Sequence, residues 1–287
     1  NAALEALLDG EFDARLGVRD LVAGSFVLTD AQVSLSGPMA GLALEADMSG
    51  LAGVPFDFNA TGLISLDETG MRAELRPGGH LGANAWETLE PILAVSSGEN
   101  RSLGGRITFG GGELGIHWQE SVGLAQLDLQ VERLPIALLV DLAGLPAVDG
   151  MIDANAALQQ TGGIWRGTAE LMASGLTAAL LADAPELRIE TRLALGDDAQ
   201  IETLATGGGL SARGFLTRQG HTTDLLAILD GPAAVITGGI EANGEIQSLT
   251  SLLFPIGTAL AGDVDINLAI SGTRSAPQID GSVALHD

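Results

Sequence analysis

The strictest constraint on this chain is a period of two. In Gly262 to Leu285, GDVDINLAISGTRSAPQIDGSVAL, the residues Val264, Ile266, Leu268 and Ile270 alternate with Asp263, Asp265, Asn267 and Ala269. Successive side chains of a strand point to opposite faces, so the pattern predicts a strand with one dry face and one wet face. Ser271 to Pro277 supplies turn residues, after which Gly281, Val283 and Leu285 resume the same parity. A related unit runs from Gly150 to Leu171, with Ile152, Ala154, Ala156 and Leu158 on one face and Gly167 to Leu171 answering Gly281 to Leu285. Each follows a short apolar segment rich in Leu, Pro and Gly, which predicts a diverged internal repeat at 136–171 and 247–285.

The alternation recurs along the chain. It places Val27, Thr29, Ala31, Val33 and Leu35 on one face, then Leu42, Leu44, Ala46 and Met48. Val54, Phe56, Phe58, Ala60, Gly62, Ile64 and Leu66 continue it through one strand, longer than the usual limit of about 10 residues. Leu127, Leu129 and Val131 form a further set, as do Leu187, Ile189, Leu193 and Leu195. Four stretches break the pattern and predict short helices. In Asn84 to Val95, Asn84 caps, Glu87 completes a capping box, Trp86, Leu89, Ile92 and Leu93 share a helical face, and Pro91 kinks it. The others are Ile136 to Ala143, Thr223 to Leu229 and Gln247 to Leu260. The expected fold is all-β: a long, curled, mostly antiparallel sheet enclosing an open U-shaped hydrophobic groove, in one elongated segment over residues 1–287.

Composition agrees with thin strands: 40 glycines, 46% hydrophobic residues and only 3% aromatics. It also removes function classes. A formal charge of -24, with 13 basic residues that are all Arg, excludes nucleic acid as a partner over any large surface. Without Lys there is no P-loop, protein-kinase site, SxxK nucleophile or Schiff-base chemistry. Without Cys there are no disulfides and no thiolate metal sites. No apolar run reaches the roughly 18 to 20 residues that span a bilayer. Asp263-x-Asp265-x-Asn267 opens like a calcium loop, yet Leu268 stands where Gly is needed and Arg274 where Glu is needed. Asp197 and Asp198 read as a turn, and His80, His117, His221 and His286 lack ligand spacing. The sequence therefore predicts no catalytic residues, no metal and no cofactor.

Gly272, Thr273, Pro277, Gly281 and Leu285, set in a chain of thin strands with one continuous apolar face, resemble the TamB family of translocation and assembly module proteins, relatives of the AsmA-like proteins. Gly150 to Leu158 is a looser echo. The resemblance implies a β groove in the periplasm that carries phospholipid between inner and outer membranes, on a protein anchored in the inner membrane with an outer-membrane barrel partner. It makes this chain an interior or near C-terminal section, whose edge strands could self-associate. At about 4.8 Å per strand, some fifteen strands would build a trough of roughly 70 Å. The candidate lining is Phe56, Phe58, Ile64, Leu66, Leu127, Leu129, Val131, Ile152, Leu158, Leu187, Ile189, Leu193, Leu195, Val264, Ile266, Leu268, Ile270, Val283 and Leu285. Two non-enzymatic functions stay open: a conduit for acyl chains, and a scaffold that holds outer-membrane strands by β-augmentation.

Overall fold

The computed structural model describes residues 10–24, 26–67, 69–137, 148–178, 186–225, 234–245, 262–273 and 275–286. Among them seventeen strands belong to one open antiparallel sheet. Among the described residues the chain divides into two compact units, the first ending at Leu134 and the second running from Pro135 to His286.

The first unit is a meander in which each strand pairs with its successor. Its strands are β1 (Glu11–Ala23), β2 (Phe26–Pro38), β3 (Leu42–Ala52), β4 (Val54–Asp67), β5 (Gly70–Leu81), β6 (Asn84–Ser97), β7 (Asn100–Phe109), β8 (Gly112–Ser121) and β9 (Leu124–Pro135). The turns are short and polar or glycine-rich, which suits hairpins between antiparallel neighbours. At the β4–β5 turn, Asp67 Oδ1 accepts from the Thr69 hydroxyl at 2.6 Å, from Thr69 N at 2.7 Å and from Gly70 N at 3.0 Å. Those bonds hold its carboxyl below the ordinary value of 3.8, the Thr69 side chain having the largest effect.

The second unit repeats the plan with β10 (Val148–Thr161), β11 (Ile164–Ala178), β12 (Leu187–Leu195), β13 (Ala199–Gly207), β14 (Leu210–Arg218), β15 (Ile236–Glu245), β16 (Asp263–Thr273) and β17 (Ala276–His286). Gly167 faces Leu158 and Gly281 faces Leu268. Both glycines have positive φ, +132° and +150°, and a Cβ on Gly167 would lie 2.1 Å from the Ala157 carbonyl oxygen. Gly167→Ala is therefore expected to destabilise this unit by about 1–3 kcal/mol, read as a lower urea midpoint.

The helix expected over Asn84–Val95 is a strand, β6. Its apolar spacing of three comes from extra residues, not from a helical turn: the register slips between Thr88 and Glu90 and again between Glu90 and Leu93. Pro91, which has no N–H to give the ladder, stands inside the second slip, where β-structure tolerates it. A slip between Leu28 and Asp30 likewise leaves Thr29 out of the ladder and moves Leu28, rather than Val27, onto the face of Ala31. Ile136 and Ala137 are helical, and the rest of the helix expected to Ala143 lies outside the described residues. Residues 223–225 are irregular, and the remainder of that predicted helix and all of Gln247–Leu260 lie outside the described residues. The described residues also include one 3-10 turn, Met39–Gly41, between β2 and β3.

Candidate functional site

The site is built by register. In the first unit Ala46 pairs with Val33 and Ala60, and Phe58 with Met48 and Gly79. Ile116 pairs with Gly105 and Leu129, and Trp118 with Leu103 and Leu127. Because directly paired residues share a face, these alternations merge into one apolar surface crossing the unit. Phe56, Phe58, Ile64, Leu66, Leu127, Leu129 and Val131 all stand on it.

The second unit does the same over eight strands. Ile152 faces Ala173, which faces Ile189, and Ile189 faces Ala205. Ala205 faces Ala212, Ala212 faces Ala242, Ala242 faces Ile266 and Ile266 faces Val283. Leu158, Leu187, Leu193, Leu195, Val264, Leu268, Ile270 and Leu285 occupy neighbouring positions on this same face. Each expected lining residue thus lies on the apolar face of its own unit.

Burial along these faces is shallow. Val131, Ile152, Leu158, Leu187, Leu195 and Val264 are buried. Phe56, Phe58, Ile64, Leu66, Leu127, Leu129, Ile189, Leu193, Ile266, Leu268 and Ile270 are half-buried, and Val283 and Leu285 are exposed. No large side chain among the described residues is fully buried. Packing one sheet on another fills the space between them with interdigitated side chains, so a sandwich core of this extent would contain many such residues.

One end of the first unit's face carries five of its seven aromatic residues. Phe26, Phe56, Phe58, Trp86 and Phe109, joined by Met48, Ala52, Leu81, Ile107, Leu114 and Leu134 and by the polar pair Asp57 and His80, line a mostly apolar hollow of about 530 Å³. They converge because Phe26, Phe56 and Trp86 open their strands, whereas Ala52, Leu81 and Phe109 close theirs. Phe26 stacks on Phe56 at 5.5 Å between ring centroids, and Phe58 lies tilted against Trp86 at 5.7 Å. Gly82 N donates to the Pro55 carbonyl at 2.7 Å and Gly110 N to that of Ala85 at 3.1 Å, tying the rim turns to neighbouring strands. The volume falls within the range of about 300–1,000 Å³ common for small-molecule sites.

The opposite faces are wet. Arg19 meets Asp30 at 3.1 Å, Arg192 meets Glu170 at 3.3 Å and Arg213 meets Glu202 at 2.7 Å, all between exposed side chains. His80 approaches Asp57 at 3.1 Å and His286 approaches Asp265 at 3.1 Å. Asp197 meets Arg166 at 3.2 Å, and Asp198 Oδ1 accepts from Gly220 N at 3.0 Å, so this adjacent pair secures a turn. Among the described residues no helix is long and apolar enough to cross a membrane, and no group of three or more metal-ligating side chains forms.

No family model, curated protein or solved structure matches this chain. The arrangement must be read from its own chemistry. Among the described residues, the wide aliphatic faces offer burial and dispersion to a flexible apolar ligand.

Sequence reasoning found the faces but missed the hollow. Of the hollow's aromatic residues, only Phe56 and Phe58 fall in the lining that the alternation predicts. Phe26, Trp86 and Phe109 belong to three other strands, and Trp86 was expected on a helix. The available signal was their placement beside turn glycines: Gly24, Gly82 and Gly110 each stand within four residues of one of these rings.

Proposed function

We propose that the apolar faces of this chain hold lipid acyl chains, making it a section of a non-enzymatic lipid conduit with a curled, groove-like sheet. The observation that carries the reading is the apolar register that runs from strand to strand in each unit, together with the shallow burial of its members. Such a surface in water loses free energy by taking up hydrocarbon, about 0.8 kcal/mol for each methylene buried. Burial does not distinguish headgroups, so this surface would accept many lipids. The TamB resemblance adds a setting: the periplasm, phospholipid passing between inner and outer membranes, an inner-membrane anchor and an outer-membrane barrel partner on the whole protein.

The chain purified without detergent is expected to carry phospholipid, released by solvent extraction and identified by mass spectrometry. A chain recovered free of lipid from lipid-rich cells, and unable to take up a spin-labelled acyl chain, would sink the conduit. A second reading, a scaffold that receives another strand by β-augmentation, is favoured by β17, where Ile279, Val283 and Leu285 are 60%, 61% and 66% exposed. On that reading an extended amphipathic peptide binds tightly whereas acyl chains do not.

A further inference from the structure

The apolar face of the second unit carries one charged side chain among the described residues of its strands, Arg218. Its place on that face follows from register, since it pairs with Ala199 on one side and Ile236 on the other, one position beyond the paired Leu216 and Ile201. The other arginines of these strands, Arg166, Arg188, Arg192 and Arg213, stand on the wet face beside Asp197, Glu190, Glu170 and Glu202. The corresponding exception in the first unit, Arg101, faces Glu120 across the strand at 3.8 Å and is balanced by it. Across the ladder Arg218 faces no carboxylate, its neighbours there being Ala199 and Ile236. Its Nη atoms donate to the Thr222 hydroxyl at 3.3 Å and to the His221 carbonyl at 3.5 Å, and its Nε is buried with no partner.

The segment after Arg218 fixes the guanidinium at the rim. Gly220 N is held by Asp198, and Trp165 N donates to the Thr222 carbonyl at 2.8 Å, so the chain recrosses the β12–β13 turn to reach the start of β11. Thr222 is only 2% exposed, the one buried polar residue in the described set. A cation anchored by neutral partners, with a spare donor and an aliphatic face running away from it, matches a molecule that is anionic at one end and apolar along its length.

We infer that Arg218 is the headgroup-binding residue of the second unit, receiving the phosphate of an anionic amphiphile whose chain lies along the apolar face. The inference rests on the lipid reading of that face and adds selectivity at one rim. A guanidinium presents parallel donors that suit phosphate oxygens, and partial desolvation strengthens each bond.

The test is calorimetric titration of the chain, below micelle formation, with dodecyl phosphate, with neutral dodecyldimethylamine oxide of the same chain length, and with inorganic phosphate. Dodecyl phosphate is expected to bind about tenfold more tightly than the amine oxide. Arg218→Gln should erase that preference while leaving amine-oxide binding unchanged, Arg218→Lys should keep part of it, and Arg101→Gln should leave it intact. Equal affinity of both amphiphiles in the parent chain would overturn the role of Arg218 and leave the apolar face standing. Inorganic phosphate binding as tightly as dodecyl phosphate would also overturn it, by showing a free-anion site. If neither amphiphile binds, the lipid reading fails and this inference falls with it. Should Arg218→Gln lower the melting temperature, the Arg218→Lys chain and the parent still decide the outcome.

Discussion

Ile266→Asp is expected to leave the second unit folded and to abolish acyl-chain binding across β15–β17. Ile266 sits between Ala242 and Val283, is itself half-buried, and has beside it a Val283 that is 61% exposed. A carboxylate there reaches water as long as nothing lies over the face, so its cost to folding is about 1–2 kcal/mol. Once an acyl chain covers it, the same carboxylate must be dehydrated or protonated, at a cost of several kcal/mol to the bound lipid. Two residues earlier on the same face, Val264 is 3% exposed between Gly244 and Leu285. Val264→Asp has no route to water and should destabilise the unit by roughly 3–5 kcal/mol. Asp265→Asn, which removes only the exposed contact with His286, should change neither property. Thermal melting and uptake of a spin-labelled acyl chain, measured on all three variants, check the pattern. A filled core would make Ile266→Asp as damaging to the fold as Val264→Asp.

The aromatic hollow of the first unit should give the second large effect. Trp86 forms part of its wall, paired with Gly79 and Phe109 and tilted on Phe58. Trp86→Ala is expected to weaken acyl-chain binding in this unit about tenfold, because it removes a large ring from a surface that works by contact area. The fold should lose only about 1–2 kcal/mol, less than a core tryptophan would cost, since the hollow is already open to solvent. In a chain whose other tryptophans, Trp118 and Trp165, are replaced by Phe, a brominated acyl chain should quench Trp86 emission. Unquenched emission at saturating lipid would show that the hollow is not part of the lipid surface.

The faces were legible in the sequence because a buried parity and a solvated parity cannot be exchanged without turning every side chain over. Ile64 and Leu66 on β4, Leu193 and Leu195 on β12, and Ile266 and Leu268 on β16 were readable for that reason. The alternation failed where the ladder does. Extra residues near Thr88 to Leu93 turned a strand into an apparent amphipathic helix, and the slip at Thr29 put Val27 on the wrong face. What joined the faces was not legible. Nothing in residues 26 to 109 states that Phe26, Phe56, Phe58, Trp86 and Phe109 end at one rim, since that depends on hairpin lengths and register summed over several strands. Arg218 was hidden for a related reason: the alternation of Leu210, Ala212, Gly214 and Leu216 reaches it only once β14 is known to continue to its last residue.

We propose that the apolar parity of each unit is a lipid surface. Photocrosslinking from two adjacent positions on β16 tests it most directly. Leu268 pairs with Ile240 and Gly281 on the apolar face, and Asn267 pairs with Glu241 and Ser282 on the wet face. With a photoreactive phenylalanine at position 268, irradiation in cells should yield a lipid adduct on the chain, and the same group at 267 should yield none. Adducts at both positions in equal amount, or at 267 alone, would contradict the account, as would a chain that stays free of lipid at 268.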